Sequence, residues 1–347
     1  MTVTYHRRNQ LLGRLGLCAA GGLVVGGLLA IPFSGGDGGS TLTSPTAVVT
    51  IAPAVSTTAA GRTSTTTSDA DAVSTTVAAP TVTTADRPAG PTTAVVADPS
   101  GAVLSTIPGV DAPAYVVIDA DTGKVLGGSN AGEQRAVGSL MKLLTAYVVM
   151  QAGDPTKTVA IPKLDLVADE SNIGLAPGMT YQRDLLLRAL LVVSAGDAAQ
   201  ALAVDVGGSE EAFVEQMNAA AGRLGLTDTV AMNETGLDAP GAHSSAADIA
   251  RLARVLMQDE TFRDTVDNQT ARLFGKTRPA TNQPFLAGYD GATGVKTGHT
   301  TNAAYCLAAS ATRDGRSLIT VVLGLPTMQA RTAAAETALD WGFAQAG

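Results

Sequence analysis

Residues 303–312 read Ala-Ala-Tyr-Cys-Leu-Ala-Ala-Ser-Ala-Thr, residues 313–316 read Arg-Asp-Gly-Arg, and residues 317–325 read Ser-Leu-Ile-Thr-Val-Val-Leu-Gly-Leu. An Asp-Gly pair between two apolar runs is a strong signal for a β-hairpin, because both residues tolerate the backbone angles of a tight turn. We therefore predict two adjacent antiparallel strands here. A helical pattern over 327–343 follows them.

Further strand segments lie on the other side of a long helical block. We predict strands at 114–119, 124–126 and 294–297. The block comprises predicted helices at 138–151, 183–193, 197–206, 210–224 and 246–257, with an irregular stretch at 164–178. Strands at both ends of a helical block predict an α/β (α+β) fold, in which helices and a helical subdomain pack on an antiparallel sheet.

The composition is that of an acidic protein with ample apolar residues for a core. The chain has 347 residues, of which 45% are hydrophobic, and a net charge of −8. No Lys/Arg cluster occurs beyond the first residues, so we expect no nucleic-acid partner. The three histidines, His6, His243 and His299, lack metal-ligand spacing, so we expect no metal ion, and nothing else indicates a cofactor.

The first 105 residues differ from the rest of the chain. Residues 1–14 are basic, and the uncharged run 15–33 would span about 28 Å as a helix, close to a bilayer core. The arginines favour a single-pass cell-membrane anchor with a cytoplasmic start and an extracytoplasmic remainder. A cleaved signal peptide, which would give a secreted protein, is the alternative. Residues 34–105 indicate a disordered Thr/Ser/Ala/Pro-rich linker, and 106–347 a folded domain.

Candidate chemistry lies in three short motifs: Ser139-Leu-Met-Lys142, Ser194-Ala-Gly196 and Lys296-Thr-Gly298. A serine needs a nearby base to become a nucleophile, and a lysine three residues further along a helix lies on the same face. A lysine and a hydroxyl on a strand could hold a carboxylate, and a glycine lets a substrate backbone approach closely. Taken alone, Ser139 could be a helix cap and Lys296 a solvated strand residue.

The first and third motifs match the S-x-x-K and K-T-G signatures of penicillin-interacting serine enzymes. Over about 114–345 the chain resembles the D-alanyl-D-alanine carboxypeptidase family, the low-molecular-mass penicillin-binding proteins. The supporting segments follow the family order: Asp119-Ala-Asp-Thr-Gly-Lys-Val-Leu126, Ser139-Leu-Met-Lys-Leu-Leu-Thr-Ala-Tyr147, Met232-Asn-Glu-Thr-Gly-Leu-Asp238, Pro240-Gly-Ala-His-Ser-Ser245, Gly294-Val-Lys-Thr-Gly-His-Thr300 and Leu339-Asp-Trp-Gly-Phe343. The resemblance implies a β-lactamase/transpeptidase-like fold, and we expect no second β-rich domain after it.

The same resemblance implies a serine carboxypeptidase of cell-wall synthesis and cell shape. Its substrates would be peptidoglycan stem peptides, and β-lactams would inhibit it covalently. By matching position, Ser139 would attack the penultimate D-Ala carbonyl, Lys142 would be its general base, and Ser194 would relay a proton to the leaving D-Ala. Lys296 and Thr297 would anchor the terminal carboxylate.

Gly298 and His299, the residue after the third motif, also have implied roles. The backbone N–H of His299, together with that of Ser139, would form the oxyanion hole, so the imidazole itself would not be required. Gly298 would admit the substrate backbone. The resemblance implies no cofactor.

The chain departs from the family pattern at Gly196, where an asparagine amide is expected beside the substrate. Losing one hydrogen bond to a charged group is worth about 1.5–3 kcal/mol, or roughly 10–150-fold in rate. We therefore predict reduced but real activity, which Gly196→Asn should raise.

Two alternatives remain open at this stage. A wall-binding scaffold protein could have kept the fold and lost turnover, and it would not be labelled by penicillin. A class A-like β-lactamase could use a glutamate on a loop for deacylation, and residues 234–238 faintly resemble such a loop. Rapid hydrolysis of penicillin would identify the β-lactamase.

Overall fold

The computed structural model describes residues 104–167 and 170–345. In chain order they form β1 (Ala114–Asp119), β2 (Val125–Ser129), a 3₁₀ turn (Gly138–Met141), α1 (Lys142–Gln151), β3 (Thr158–Ala160), β4 (Thr180–Gln182), α2 (Arg183–Val192), α3 (Gly196–Gly207), α4 (Glu210–Arg223), α5 (Ala246–Leu256), α6 (Glu260–Val266), β5 (Thr270–Leu273), β6 (Lys276–Pro279), α7 (Gln283–Gly288), β7 (Ala292–Thr300), β8 (Ala304–Arg313), β9 (Arg316–Leu325) and α8 (Met328–Ala344).

The predictions for residues 1–14, 15–33 and nearly all of 34–105 lie outside the described residues. Within the described ranges, no helix is both long and apolar enough to cross a bilayer.

The central sheet is antiparallel and has five strands in the order β2-β1-β9-β8-β7. Its middle is the predicted hairpin, in which Arg313 of β8 pairs with Arg316 of β9. The turn between them, Asp314 and Gly315, has φ values of 50° and 78°. This left-handed pair matches the right-handed twist of the strands, which is why Asp-Gly sets the register here. The predicted fold class is confirmed.

The sheet separates two apolar clusters because successive side chains of a strand point to opposite faces. On one face, Val116 and Val321 pack with the helices of the block between β2 and β7. On the other face, Val117 and Val322 pack with Leu339 of α8. The strand β7, which carries the Lys-Thr-Gly motif, lies at one edge of the sheet, where its outer side faces the helical subdomain.

The main helices begin and end within one residue of the predicted bounds, except α1, which starts at Lys142 because residues 138–141 of the predicted helix form the 3₁₀ turn. Two small two-stranded sheets were not predicted: β3 with β4, and β5 with β6. Residues 276–278 belong to β6. Phe274 and Gly275, with φ of 50° and 75°, form the tight turn that pairs them with β5.

Candidate active site

The first motif folds as a 3₁₀ turn that leads directly into α1. Ser139 lies in this turn and Lys142 opens the helix. Lys142 Nζ donates a hydrogen bond to Ser139 Oγ over 3.1 Å, and the lysine side chain is buried. The structure therefore brings the predicted nucleophile and its predicted base into contact.

Three acceptors surround the Lys142 amine. Besides Ser139 Oγ, Nζ donates to Glu170 Oε1 and to the backbone carbonyl of Thr235, each over 3.0 Å. These contacts use all three donors of a lysine ammonium. Burial lowers the pKa of Lys142 below its ordinary value, and the Glu170 carboxylate partly offsets that shift. The site thus holds an amine that gives up its proton more readily than a lysine in water.

The Thr235 carbonyl is aimed at Lys142 by a turn that Asn233 organises. The Asn233 Oδ1 atom accepts hydrogen bonds from the backbone N–H groups of Thr235 (3.3 Å), Gly236 (2.7 Å) and Leu237 (3.1 Å). An Asn side chain that mimics a backbone turn is typical of such loops. Within residues 232–238, the role of Asn233 is therefore to position the Thr235 carbonyl oxygen.

The second and third motifs also meet. Lys296 is fully buried on β7, and its Nζ donates to Ser194 Oγ over 2.8 Å. Ser194 has φ of 61°, a left-handed conformation that is uncommon outside glycine. Burial, reinforced by the nearby positive charges of Lys142 and Arg331, holds the pKa of Lys296 well below its usual value. Lys296 is therefore not a solvated strand residue.

Two glycines allow β7 to pack directly on the 3₁₀ turn. A β-carbon on Gly298 would overlap the Val137 carbonyl, and one on Gly138 would lie 2.8 Å from the His299 amide nitrogen. The backbone of His299 therefore lies beside the turn that carries Ser139. The exposed imidazole of His299 instead packs on the ring of Tyr305, with 4.2 Å between centroids.

Thr297 and Arg331 complete the wall formed by β7. The Thr297 hydroxyl donates to the Thr281 hydroxyl over 2.8 Å. Arg331, from α8, is buried behind the strand, where Nη1 lies 3.4 Å from the Gly298 carbonyl. Sequence reasoning missed Arg331. The available signal was its spacing: Arg331 lies three and four residues before Ala334 and Ala335, and therefore on the face that α8 buries.

The position left by the missing side chain of Gly196 is occupied. A β-carbon on Gly196 would overlap the Glu170 carboxylate, which sits 3.0 Å from Lys142 Nζ. The Gly196 amide donates to the Ser171 carbonyl over 2.7 Å, so the backbones also touch. Glu170 was not among the predicted site residues. The glutamate that contacts Lys142 through its carboxylate is therefore Glu170, whereas Glu234 contacts α1 through its backbone carbonyl, which accepts from Thr145.

The stretch that carries Glu170 is fastened to the start of α3. The buried Asp197 Oδ2 accepts from the backbone N–H groups of Ile173 (2.9 Å), Gly174 (2.8 Å) and Leu175 (3.0 Å). In return, the Asp197 amide donates to Asn172 Oδ1 over 3.0 Å. Hydrogen bonds to a charged acceptor are among the stronger ones in proteins. An irregular stretch, as predicted over 164–178, is thereby held in one place against the site.

A group of three or more His, Cys, Asp or Glu side chains that could bind a metal ion is absent from the described residues. The chemistry available here is that of two serine hydroxyls, each in contact with a buried lysine, and one carboxylate in contact with Lys142. Such a set is suited to nucleophilic attack on a carbonyl and to proton transfer.

Comparison with known proteins gives a consistent result. A family model described as D-alanyl-D-alanine carboxypeptidase matches residues 102–327. The D-alanyl-D-alanine carboxypeptidase DacF of Bacillus subtilis is 36% identical over 247 residues, which cover 68% of this chain and 63% of the relative. DacB2 of Mycobacterium tuberculosis is 34% identical over 252 residues, which cover 69% of this chain and 85% of the relative.

Solved structures agree with these relatives. A D-alanyl-D-alanine carboxypeptidase from Mycobacterium tuberculosis superposes with a TM-score of 0.66 at 31% identity, covering 70% of this chain and 95% of that structure. The Streptomyces K15 DD-transpeptidase gives a TM-score of 0.64 at 31% identity, covering 69% and 100%. The β-lactamase/transpeptidase-like fold is confirmed by these structures.

Proposed function

The chain belongs to the D-alanyl-D-alanine carboxypeptidase family, and we propose from this membership that it removes the terminal D-Ala from peptidoglycan stem peptides through an acyl-enzyme on Ser139. The observation that carries the proposal is the 3.1 Å contact between Ser139 Oγ and the buried Lys142 Nζ. A peptide bond needs an activated nucleophile, and this pair supplies one without a cofactor.

Acylation begins when the neutral Lys142 amine takes the Ser139 proton. Oγ bonds to the carbonyl carbon of the penultimate D-Ala, and the carbonyl oxygen becomes an oxyanion. The backbone N–H groups of Ser139 and His299 would stabilise this charge, which is usually a large catalytic contribution. The lowered pKa of Lys142, caused by burial, keeps the unprotonated amine accessible.

The leaving D-Ala departs on the opposite side of the site. Its nitrogen takes a proton from Ser194 Oγ, which lies 2.8 Å from Lys296 Nζ, and the C–N bond breaks. Ser194 recovers a proton from the Lys142 ammonium, so Lys142 is neutral again in the acyl-enzyme. Thr297 offers a hydroxyl to the terminal carboxylate. The carboxylate would also face the buried Lys296 amine and Arg331 guanidinium on the same wall. Water then hydrolyses the ester, which frees Ser139 and the shortened peptide.

The same nucleophile would open a β-lactam ring, so β-lactams are expected to inhibit the protein covalently.

The N-terminal composition supports a location for this chemistry. An uncharged run at 15–33 behind basic residues favours a single-pass cell-membrane protein with the catalytic domain outside. A cleaved leader would make the same domain a secreted one.

Labelling of the full chain with fluorescent penicillin, combined with an assay of D-Ala release from a peptide ending in D-Ala-D-Ala, tests the proposal. Mass spectrometry should map the penicillin adduct to Ser139, and Ser139→Ala should abolish both labelling and release. Ser317→Ala, at the hairpin end of β9, is a matched control that should leave both unchanged. Release of D-Ala by Ser139→Ala at the rate of the unchanged protein would contradict the proposal.

A further inference from the structure

Glu170 has one oxygen in use and one free. Oε1 accepts from Lys142 Nζ over 3.0 Å, whereas Oε2 is buried and has no hydrogen-bond partner among the described residues. The side chain is 4% exposed. A buried carboxylate oxygen without a donor is rare, because leaving such a group unpaired is unfavourable. Oε2 can therefore accept a hydrogen bond from a water or a ligand that enters the site.

The free oxygen lies within the constellation that handles the substrate. Its carboxylate touches the lysine that contacts the nucleophile, and it fills the position where a side chain of residue 196 would begin. The family pattern expects an amide there, which can both donate and accept. An ionised carboxylate only accepts. The group that donates a hydrogen bond to Oε2 is therefore a water or an N–H group. Of these two, only a water can transfer a proton to Oε2 and then attack an ester carbon.

We propose that Glu170 is the general base of deacylation, and that its Oε2 binds and deprotonates the water that resolves the acyl-enzyme on Ser139. The inference rests on the proposed function, because it requires that an acyl-enzyme forms. Glu170 is then a fourth catalytic group that the three sequence motifs do not contain.

The step balances in protons and bonds. The water oxygen bonds to the ester carbon while one water proton passes to Oε2 of Glu170. The tetrahedral intermediate collapses, the bond between the carbon and Ser139 Oγ breaks, and Oγ takes a proton from Lys142. Lys142 in turn takes the proton held by Glu170 across their 3.0 Å contact, so that it is again a neutral amine beside an ionised carboxylate. The pair ends as it began, and the product leaves as a carboxylic acid that ionises.

Two features keep the carboxylate in place for this step. Asp197 binds three consecutive backbone N–H groups just after Glu170. Gln200 binds the backbone on the other side, where its amide exchanges two hydrogen bonds with the N–H and carbonyl of Asp165, of 2.9 and 2.7 Å. A general base must sit within about 2.6–3.2 Å of the proton that it takes, so this fixation from α3 matters for the reaction.

The test separates the two half-reactions with fluorescent penicillin on the full chain. Labelling at short times gives the acylation rate, and loss of label after excess unlabelled penicillin gives the release rate. Glu170→Gln should lower the release rate by about 100-fold or more, the usual contribution of a general base, while the acylation rate changes by less than about 10-fold. Asp165→Asn removes an exposed carboxylate from the same stretch and should keep both rates unchanged.

The outcomes distinguish a failure of the proposed function from a failure of the role proposed for Glu170. If the unchanged protein takes no label, the proposed function fails. If Glu170→Gln labels stoichiometrically at Ser139 and releases the label as fast as the unchanged protein, or faster, Glu170 is not the base. Stoichiometric labelling also shows that the variant is folded. Glu170→Asp, which withdraws the carboxylate by one methylene, provides a second folded variant and should give an intermediate release rate.

Chemical rescue distinguishes a catalytic carboxylate from a structural one. Glu170→Ala leaves a space beside Lys142 and Gly196 that a formate ion fits. Added formate should raise the release rate of this variant in a saturable way, whereas chloride at equal ionic strength should not. Equal effects of formate and chloride would overturn the assignment, because a structural role does not depend on a proton acceptor.

Discussion

The Glu170 carboxylate lies where a β-carbon of residue 196 would have to be, so any side chain at position 196 would displace this carboxylate from its place beside Lys142. The glycine provides the space, and the glutamate fills it with a charge that contacts Lys142. The volume beside residue 196 is therefore occupied. Placing the family asparagine at this position consequently has a different effect from the one expected from the sequence.

Gly196→Asn should lower D-Ala release and destabilise the protein, since the new side chain overlaps Glu170. Overpacking of this kind typically lowers the free energy of unfolding by about 1–3 kcal/mol. This replaces the expectation, drawn from the sequence, that the variant gains activity. The double variant Gly196→Asn/Glu170→Ala should release D-Ala faster than Gly196→Asn alone. A double-mutant cycle on melting temperature and D-Ala release measures this coupling, and simple additivity would refute it.

Lys142→Met should abolish labelling by penicillin and lower the free energy of unfolding. Breaking a buried ion pair by removing one partner leaves the other charge uncompensated, at about 3–5 kcal/mol. The side chains of Lys142 and Glu170 are only 1% and 4% exposed, so solvent does little to screen this loss. Adding Glu170→Gln to Lys142→Met should recover part of the stability without restoring labelling. Urea denaturation of the three variants checks this, and a further loss in the double variant would contradict it.

Stability should fall as the pH rises through neutrality because of Glu234. Burial raises its pKa from 4.5 to about 7 in the folded protein, so the folded state binds this proton more tightly than the unfolded chain does. The resulting stabilisation is fully present below pH 4.5 and is lost as the pH rises through about 7. At about 1.36 kcal/mol for each pKa unit, the loss approaches about 3 kcal/mol.

Urea denaturation at pH 5 and pH 8 measures this difference. Glu234→Gln should reduce the difference between the two values, whereas Glu215→Gln, which removes an exposed carboxylate on α4, should keep it. An identical pH difference in Glu234→Gln and in the unchanged protein would show that another group is responsible.

Asp197→Ala should loosen the stretch that presents Glu170. Three backbone N–H groups lose a charged acceptor, and hydrogen bonds to charged groups are each worth about 1.5–3 kcal/mol. We expect a lower melting temperature and a release rate of bound penicillin that falls more than the acylation rate does. Asp184→Ala, an exposed acidic residue in the first turn of α2, is the control. A fall in both rates by the same factor would indicate a general loss of folding instead.

The strands of the central sheet, the main helices and the contact of Ser139 with Lys142 could be predicted because their signals are local. The hairpin follows from Asp314 and Gly315, and the nucleophile pair follows from a spacing of three residues at the start of a helix. Glu170 could not be predicted in the same way. It approaches Lys142 from 28 residues away in a stretch without periodicity, and its place depends on Asp197 binding three backbone groups.

The carbonyl of Thr235 had no sequence signal of its own, because a backbone atom carries none. Its direction follows from Asn233, whose side chain binds successive N–H groups of its own turn. The missing side chain at Gly196 was the nearest available clue to Glu170. A gap in a packed interior is normally filled, and the group that fills it need not be close in sequence.

The steric relation between positions 170 and 196 also restricts the order in which the two residues can be exchanged during evolution. Starting from an asparagine, a change to glycine first would leave room beside Lys142 for a later glutamate, whereas a glutamate that arrives first would compete with the asparagine for that volume. In the reverse direction a larger residue that returns would push the acid away from Lys142. The effect of either residue on the site therefore depends on the other, and single-site comparison of relatives would misjudge both.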